Sequence, residues 1–167
     1  MKRLLLLDYK DYTKDLPVYE KHTVRAIIMR DGKLAMQRSR KGEYKILGGV
    51  VEDGEGHPET IMREVEEEAG LFVKPESLRE IGFIEERRLD VFNKYQIYVC
   101  YTYFYYCDVE ERMVPLKLTA CEVAKGYTLA WETPEHIVET NRRRIKEKWK
   151  LRDTEFVNLL AEGKLND

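Results

Sequence analysis

Long apolar runs are missing from this chain of 167 residues. The run Leu4–Leu7 near the beginning ends at Asp8. A secretory h-region needs about 7–15 apolar residues and a membrane-spanning helix about 18 or more. We therefore expect no membrane partner, and we predict that Leu4–Leu7 forms a short strand or an apolar tail packed on the body of the protein.

Cysteine is scarce, and its spacing does not suggest pairing. Cys100, Cys107 and Cys121 are odd in number and form no CxxC motif. This pattern disfavours a disulfide framework and a cysteine-based zinc site, and it gives no support to a catalytic cysteine. Cys100 and Cys107 are seven apart in a strand-like segment, so they should lie on opposite faces of it. We expect reduced thiols in a cytoplasmic protein.

An excess of either charge is also lacking, with 29 basic and 31 acidic side chains and a net charge of −2. The chain as a whole therefore has no field that would attract nucleic acid or an anionic membrane, and we expect no stable nucleic-acid partner. An anionic ligand would need a local site or a metal ion. Hydrophobic residues at 43% indicate a globular fold. The length suits a single domain over residues 1–167.

The order of elements predicts an α+β fold or an α/β sandwich. Asp31-Gly32 lies between the apolar runs HTVRAIIMR and KLAMQR, which is a strong hairpin signal because both residues tolerate positive φ. Residues 39–49 are predicted to form a loop and a short strand that ends at paired glycines. Further strands are predicted at about 78–88, 95–107 and 126–131, an amphipathic helix from Pro134 to about Lys148, and a tail helix at 154–163.

An early helix is predicted between Pro58 and Gly70, with His57 as its cap. Within it, Glu64, Glu67 and Glu68 are spaced i, i+3 and i+4, so their carboxylates share one side of the helix, while Glu66 points away. Such crowding costs roughly 0.2–0.5 kcal/mol per pair. A hard divalent cation would turn this repulsion into attraction. Taken alone, an acidic run is more often a solvated helix face.

The residues around these glutamates follow a longer pattern: Gly49, five residues, Glu55, seven residues, Arg63-Glu64, Val65, one residue, Glu67-Glu68, one residue, Gly70 and Leu71. The pattern resembles the Nudix box, here residues 49–71. The resemblance implies an α/β fold, namely an α/β/α sandwich with a mixed sheet, in which the box forms a loop, a helix and a loop. It also implies a metal-dependent pyrophosphohydrolase, in which water attacks a phosphorus of a nucleoside diphosphate derivative with Mg²⁺ or Mn²⁺ as the cofactor.

The resemblance implies roles for individual residues. Glu64, Glu67 and Glu68 would bind the metal together with the backbone carbonyl of Gly48, and Arg63 would orient the glutamates through Glu55. The general base is a box glutamate in some relatives, for which Glu64 is the first choice, and a glutamate of a later loop in others. For the latter, and as an additional metal ligand, the candidate is Glu122, for which an ordinary exposed loop acid is an equally good interpretation.

Basic and aromatic residues outside the box have two interpretations each. Arg38, Arg40 and Lys45 could bind substrate phosphates or could be solvated loop charges. The tyrosines at 95–106 could stack on a base, but most are predicted to belong to the core or the sheet surface. The run NRRRIKEKWKLR at 141–152 could be a nucleic-acid patch, and we favour the wet face of a helix whose Ile145 and Trp149 point to the core.

Departures from the family pattern leave the substrate open. Leu47 stands where relatives often have proline, and Ile61 and Met62 stand where they often have alanines; neither change touches a predicted ligand. Residues 85–90, EERRLD, carry neither the proline of ADP-ribose-cleaving members nor the tyrosine of dinucleoside-polyphosphate members. The alternatives are a nucleotide-sensing regulatory module without turnover and an isoprenyl diphosphate isomerase. A homodimer is expected only by analogy with relatives.

Overall fold

A five-stranded mixed sheet forms the centre of the protein, whose computed structural model describes residues 1–165. Its strands lie in the order β1-β8-β9-β2-β6. Neighbours alternate in direction of pairing: β1 and β8 are parallel, β8 and β9 antiparallel, β9 and β2 parallel, and β2 and β6 antiparallel. The strands of this sheet are β1 (Arg3–Asp8), β2 (Val18–Ile27), β6 (Gly48–Val50), β8 (Arg79–Leu89) and β9 (Ile97–Tyr106).

Two smaller sheets extend this framework. One has the order β11-β4-β3, with β5 pairing with β4, and the other is the antiparallel pair β10-β7. Asp31 and Gly32 connect β3 to β4 with φ values of 51° and 75°, which confirms the predicted hairpin. These strands are β3 (Met29–Arg30), β4 (Lys33–Arg38), β5 (Tyr44–Ile46), β7 (Leu71–Val73), β10 (Val109–Met113) and β11 (Thr128–Glu132).

Helices cover both faces of the large sheet. The helices are α1 (His57–Ala69), α2 (Ala120–Lys125), α3 (Pro134–Arg144) and α4 (Arg152–Ala161). On one face, Ile61 and Val65 of α1 pack with Val24 of β2. On the other, Phe156 of α4 stacks on Phe104 of β9 with ring centres 3.8 Å apart. The α/β/α sandwich with a mixed sheet is therefore confirmed, and alternation along β9 sends Tyr105 to one core and Phe104 and Tyr106 to the other.

Helix α1 follows the predicted boundaries with one correction. Pro58 occupies the first turn, and Gly70 ends the helix in the left-handed region at φ 66°, where its N–H donates to the carbonyl of Glu66. The cap is Gly56, so the prediction that His57 is the cap is wrong. Gly56 has the extended backbone usual for a cap, whereas His57 is already helical and its ring lies 2.7 Å, Nδ1 to Oη, from Tyr105.

The basic run at 141–152 departs from the predicted single helix. Helix α3 ends at Arg144, where Ile145 is buried in an extended conformation. The Asn141 side chain accepts a hydrogen bond from the backbone N–H of Tyr44 and donates to Thr154, which fixes the end of α3 against β5 and α4. Trp149 therefore lies in a separate 3₁₀ turn, and the prediction that it shares a helix face with Ile145 is wrong.

The N-terminal leucines and the cysteines lie as predicted, whereas three short elements were missed. Leu4–Leu7 lies within strand β1, and Cys100 and Cys107 are buried in different faces of the fold, as predicted. Helix α2 and strands β7 and β10 were not predicted. None of the helices within residues 1–165 is both long and apolar enough to cross a membrane.

Candidate active site

The paired glycines before α1 bring three segments into close contact. Gly48 has a φ of 141°, and a Cβ there would lie 2.1 Å from the carbonyl oxygen of Val24 in β2. A Cβ on Gly49 would lie 2.1 Å from Oε1 of Glu64. Glycine is required at position 48, where a side chain would push β6 away from β2, and a side chain at position 49 would displace the Glu64 carboxylate.

Arg63 connects the loop of the box to its helix. Its guanidinium donates to both carboxylate oxygens of Glu55, at 2.6 and 2.9 Å, and to Oε1 of Glu64 at 2.9 Å. Its Nη1 also lies 3.7 Å from Oε2 of Glu67. The hydrogen bonds from Arg63 hold the pKa of Glu55 down at about 2, so this pair stays ionised at neutral pH. Arg63 therefore joins Glu55 to Glu64 through hydrogen bonds.

Glu68 is the most enclosed carboxylate of the box, with 4% of the residue exposed. Its Oε2 accepts a hydrogen bond from the backbone N–H of Gly48 at 3.1 Å, and its Oε1 lies 3.7 Å from Nζ of Lys45. Burial raises the pKa of Glu68 to about 7, against the opposing effect of Lys45. A buried carboxylate with so little compensating charge is a favourable ligand for a cation.

Glu67 and Glu122 approach the site from different elements. Burial and the nearby charge of Glu64 raise the pKa of Glu67, and Glu122 contributes to this rise. Glu122 lies in α2 rather than in a loop, where its carboxylate completes a capping box with Thr119 and accepts a hydrogen bond from Gln37 at 3.1 Å. These bonds lower the pKa of Glu122 although burial acts in the opposite direction.

The donor set suits Mg²⁺ or Mn²⁺, but its carboxylates are held by separate anchors. Within residues 1–165, no three His, Cys, Asp or Glu side chains are gathered closely enough to hold a metal ion as they stand. Glu64 is held by Arg63 and Glu68 by the Gly48 N–H. The oxygen-only ligands, the burial of Glu68 and the glycine cradle at Gly49 fit a hard divalent cation that would draw these carboxylates together.

A basic cleft of about 770 Å³ begins beside the box and runs over the sheet face that carries α4. Gly49, Val50 and Lys45 line its end near the box. Its lining includes eleven basic and four acidic side chains, although the whole chain carries a net charge of −2. Positive charge is therefore concentrated in one concave place, which favours an anionic ligand there.

The predicted basic residues divide between this cleft and the outer surface. Lys45 and Arg40 line the cleft, whereas Arg38 is exposed at the end of β4 and is not among the lining residues. Arg144, Lys146 and other residues of the 141–152 run also line the cleft. Arg142, Arg143 and Arg144 lie in α3 and are exposed, as predicted, but the basic residues after Arg144 lie outside this helix, so the prediction of a single helix face over the run is wrong.

Several residues of the site were not found from the sequence. Gln37 is fully buried among the apolar residues of β4, and a polar residue inside such a run was the available signal. Glu86 and Arg88 of β8 lie on the cleft floor with Tyr98 of β9. The alternation of charges in EERR could be seen in the sequence. The pairing of β8 with β9, which places Glu86 and Arg88 beside Tyr98 in the cleft, could not. Tyr101 and Tyr103 lie on the opposite face, where both stack with His22.

A mixed sheet lies between two helical layers, and Glu68 of the acidic helix α1 is hydrogen-bonded to Gly48 of the glycine pair. These features define the class to which the domain belongs. The family model described as the NUDIX domain matches residues 20–153. The chain belongs to the NUDIX domain family, as the box at residues 49–71 predicted.

Solved structures with the same fold include relatives of low sequence identity. The solution structure of the E. coli ORF135 protein is 21% identical with a TM-score of 0.57, over 87% of this chain and 94% of that one. A NUDIX hydrolase from Nitrosomonas europaea is 20% identical with a TM-score of 0.61, over 87% and 91%. A UDP-X diphosphatase is 18% identical with a TM-score of 0.53, over 88% and 65%. No curated protein sequence matches the chain.

Proposed function

We propose that this Nudix protein is a metal-dependent pyrophosphohydrolase that cleaves the diphosphate linkage of a nucleoside diphosphate derivative. The observation that carries the proposal is the placement of the box carboxylates beside Gly48 and Gly49, next to a cleft rich in basic side chains. A carboxylate site for a cation and a cationic groove for an anion are the two parts that hydrolysis of a phosphate anhydride requires.

In this proposal Glu64, Glu67 and Glu68, with the carbonyl of Gly48, hold Mg²⁺ or Mn²⁺, and Glu122 is an additional ligand or the general base. The bound ions would neutralise the diphosphate and make a water molecule more acidic. Arg63 keeps Glu64 in place and is itself fixed by the two hydrogen bonds to Glu55. Arg63 and Glu55 are positioning residues, since they act through Glu64.

Lys45 and Arg40 are proposed to bind the phosphates as these enter the cleft. Lys45 lies 3.7 Å from Glu68, so its ammonium group borders both the carboxylates and the cleft. An amine at that border can contact a phosphate oxygen while it also tempers the negative charge of Glu68. Arg38 is exposed outside the cleft lining, so we give it no role.

The test is a panel of nucleoside diphosphate derivatives incubated with purified protein and Mg²⁺ or Mn²⁺, with identification of the products. Release of a nucleoside monophosphate and the complementary phosphate, abolished by EDTA and restored by the metal, is the expected result. The matched control is Glu66→Gln beside Glu67→Gln, since the two residues are adjacent on α1 and only Glu67 belongs to the proposed site. Binding without any turnover across the panel would contradict the proposal and favour a sensing module.

A further inference from the structure

Strand β8 carries two glutamate–arginine pairs on opposite faces of the sheet, and one pair is incomplete. On one face, Glu85 accepts from Arg87 at 2.6 Å through Oε1 and from Arg3 at 2.8 Å through Oε2. On the other face, Glu86 accepts from Arg88 at 2.7 Å through Oε1. Among the described residues, the buried Oε2 of Glu86 has no hydrogen-bond partner. Each carboxylate has its own arginine, but only that of Glu85 uses both oxygens.

A free carboxylate oxygen in this position needs a partner. Glu86 is 1% exposed, so water solvates it poorly, and a buried acceptor without a partner is destabilising, more so when it is charged. Arg152 of α4 is another charged neighbour, and its guanidinium is directed to Asp153 and to the sulfur of Cys100. Glu86 lines the cleft, so the cleft is the side from which a ligand could supply the missing donor to this oxygen.

Aromatic and guanidinium planes lie beside Glu86 in the cleft. The Arg88 guanidinium carbon lies 4.0 Å from the ring centre of Tyr98 and 5.4 Å from that of Trp149. All of these side chains line the cleft. Nucleobases stack on aromatic and guanidinium planes, and a carboxylate at the edge of the stack reads hydrogen-bond donors.

The sheet sets the distance between this pocket and the box. Gly48 pairs with Arg25 on β2, whereas Glu86 pairs with Cys100, which pairs with Lys21 on β2. The two positions are therefore three strands apart across the sheet and four residues apart along it, or roughly 19 Å between backbones. The side chains of Glu86 and of the box glutamates extend into this distance and shorten the gap between the two places. The remaining gap can hold a nucleotide with its diphosphate at the box and its base at Glu86.

We propose that Glu86 is the base-reading residue of the cleft and that the base it selects is guanine. This proposal rests on the proposed function, because that function places the diphosphate at the box. Guanine presents two adjacent N–H donors, N1–H and the exocyclic amino group, beside the carbonyl acceptor O6. The donors match the Glu86 carboxylate, and the acceptor matches the neighbouring Arg88. Adenine, cytosine and uracil each lack one of the two adjacent donors.

The experiment compares the affinities of GDP and IDP, measured by calorimetry for wild type, Glu86→Gln and Glu85→Gln. Inosine differs from guanosine only by the missing amino group, so the GDP:IDP affinity ratio isolates one hydrogen bond. We expect wild type to bind GDP about 10-fold or more tightly than IDP. In Glu86→Gln the ratio should fall close to one. Glu85→Gln, which changes the same residue type on the opposite face, should keep the wild-type ratio.

Equal affinities for GDP and IDP in wild type, or a full ratio in Glu86→Gln, would overturn the proposal and leave Glu86 as a structural anchor for Arg88. The circular dichroism spectrum and the unfolding temperature of each variant establish that it is folded before binding is compared. These binding measurements do not require turnover. A protein that hydrolyses no nucleotide but shows the predicted ratios would contradict the proposed function and still support the base-reading role.

Discussion

Two short segments combine glutamates and arginines in opposite ways. In α1, residues 63–68 read REVEEE, and the single arginine lies within 4 Å of carboxylates from Glu55, Glu64 and Glu67. In β8, residues 85–88 read EERR, and Glu85 and Glu86 each have an arginine two residues along. The helical period gathers like charges on one side, whereas the strand period pairs opposite charges on each face. The helix therefore keeps an excess of negative charge, and the strand is nearly balanced.

The largest effect is expected where that excess is buried, at Glu68→Gln. We expect kcat/KM with Mg²⁺ to fall about 100-fold or more, since losing roughly 3 kcal/mol of transition-state stabilisation has that effect. The unfolding temperature should stay the same or rise, because burial, which raises the pKa of Glu68 to about 7, opposes its charged form. Steady-state kinetics and thermal unfolding measure the two quantities.

A loss of activity that simply follows a loss of folded protein would contradict this expectation. Glutamine keeps the acceptor that binds the Gly48 N–H, so the local backbone geometry should survive the change. Retained activity in Glu68→Gln would remove Glu68 from the proposed metal ligands.

Arg63→Lys should have the next largest effect, because lysine cannot bridge Glu55 and Glu64 at the same time. We expect kcat/KM to fall about 10- to 100-fold, as for other residues that orient metal ligands. A higher Mg²⁺ concentration should be needed for half-maximal activity, which a purely structural role would not produce. Activity titrated against Mg²⁺ measures this shift.

Glu55→Gln tests the same bridge from the other side. It should give a similar change, and the double variant should lose little more than either single one, since the three residues act as one unit. Additive losses in the double variant would show that Arg63 and Glu55 act independently.

Glu85→Gln should affect stability only, by about 1 kcal/mol in the free energy of unfolding at pH 7. Hydrogen bonds from Arg3 and Arg87 lower the pKa of Glu85 although burial opposes them. The carboxylate therefore stabilises the fold above its ordinary pKa of 4.5, and this contribution is lost as the pH falls through the lowered value. Urea unfolding of both proteins between pH 7 and pH 3 should show the difference shrinking below about pH 4.5. A difference that grows with acidity would contradict the assignment.

These two segments also show how far the sequence can lead. The box was predictable because its information is local: Pro58, the glutamate spacing and Gly70 lie within one helix, and the family pattern extends only to Gly49. The hairpin at Asp31-Gly32 was predictable for the same reason. The place of Glu86 in the cleft was not, because it depends on β8 pairing with β9 and on α4 covering the same face.

Long-range contacts also explain the errors near the C-terminal end. The helical pattern of 141–152 was real, but the buried Asn141 is tied to Tyr44, which lies 97 residues earlier, and α3 ends three residues later. No local signal marks this end, since Ile145 would fit a helical stripe equally well. The basic side chains beyond it therefore line the cleft instead of a solvated helix face.

The smallest effect is expected for Glu66→Gln. This variant tests whether activity depends on the positions of individual glutamates in α1 or on the total negative charge of the helix. Glu66 lies 3.5 Å from Lys117 at the surface and contacts none of the anchored carboxylates. Removing its charge should change the free energy of unfolding by less than about 0.5 kcal/mol and activity by less than about twofold. If activity instead fell as far as in Glu67→Gln, the summed negative field of α1 would be the cause, and the assignment of separate roles to adjacent glutamates would be wrong.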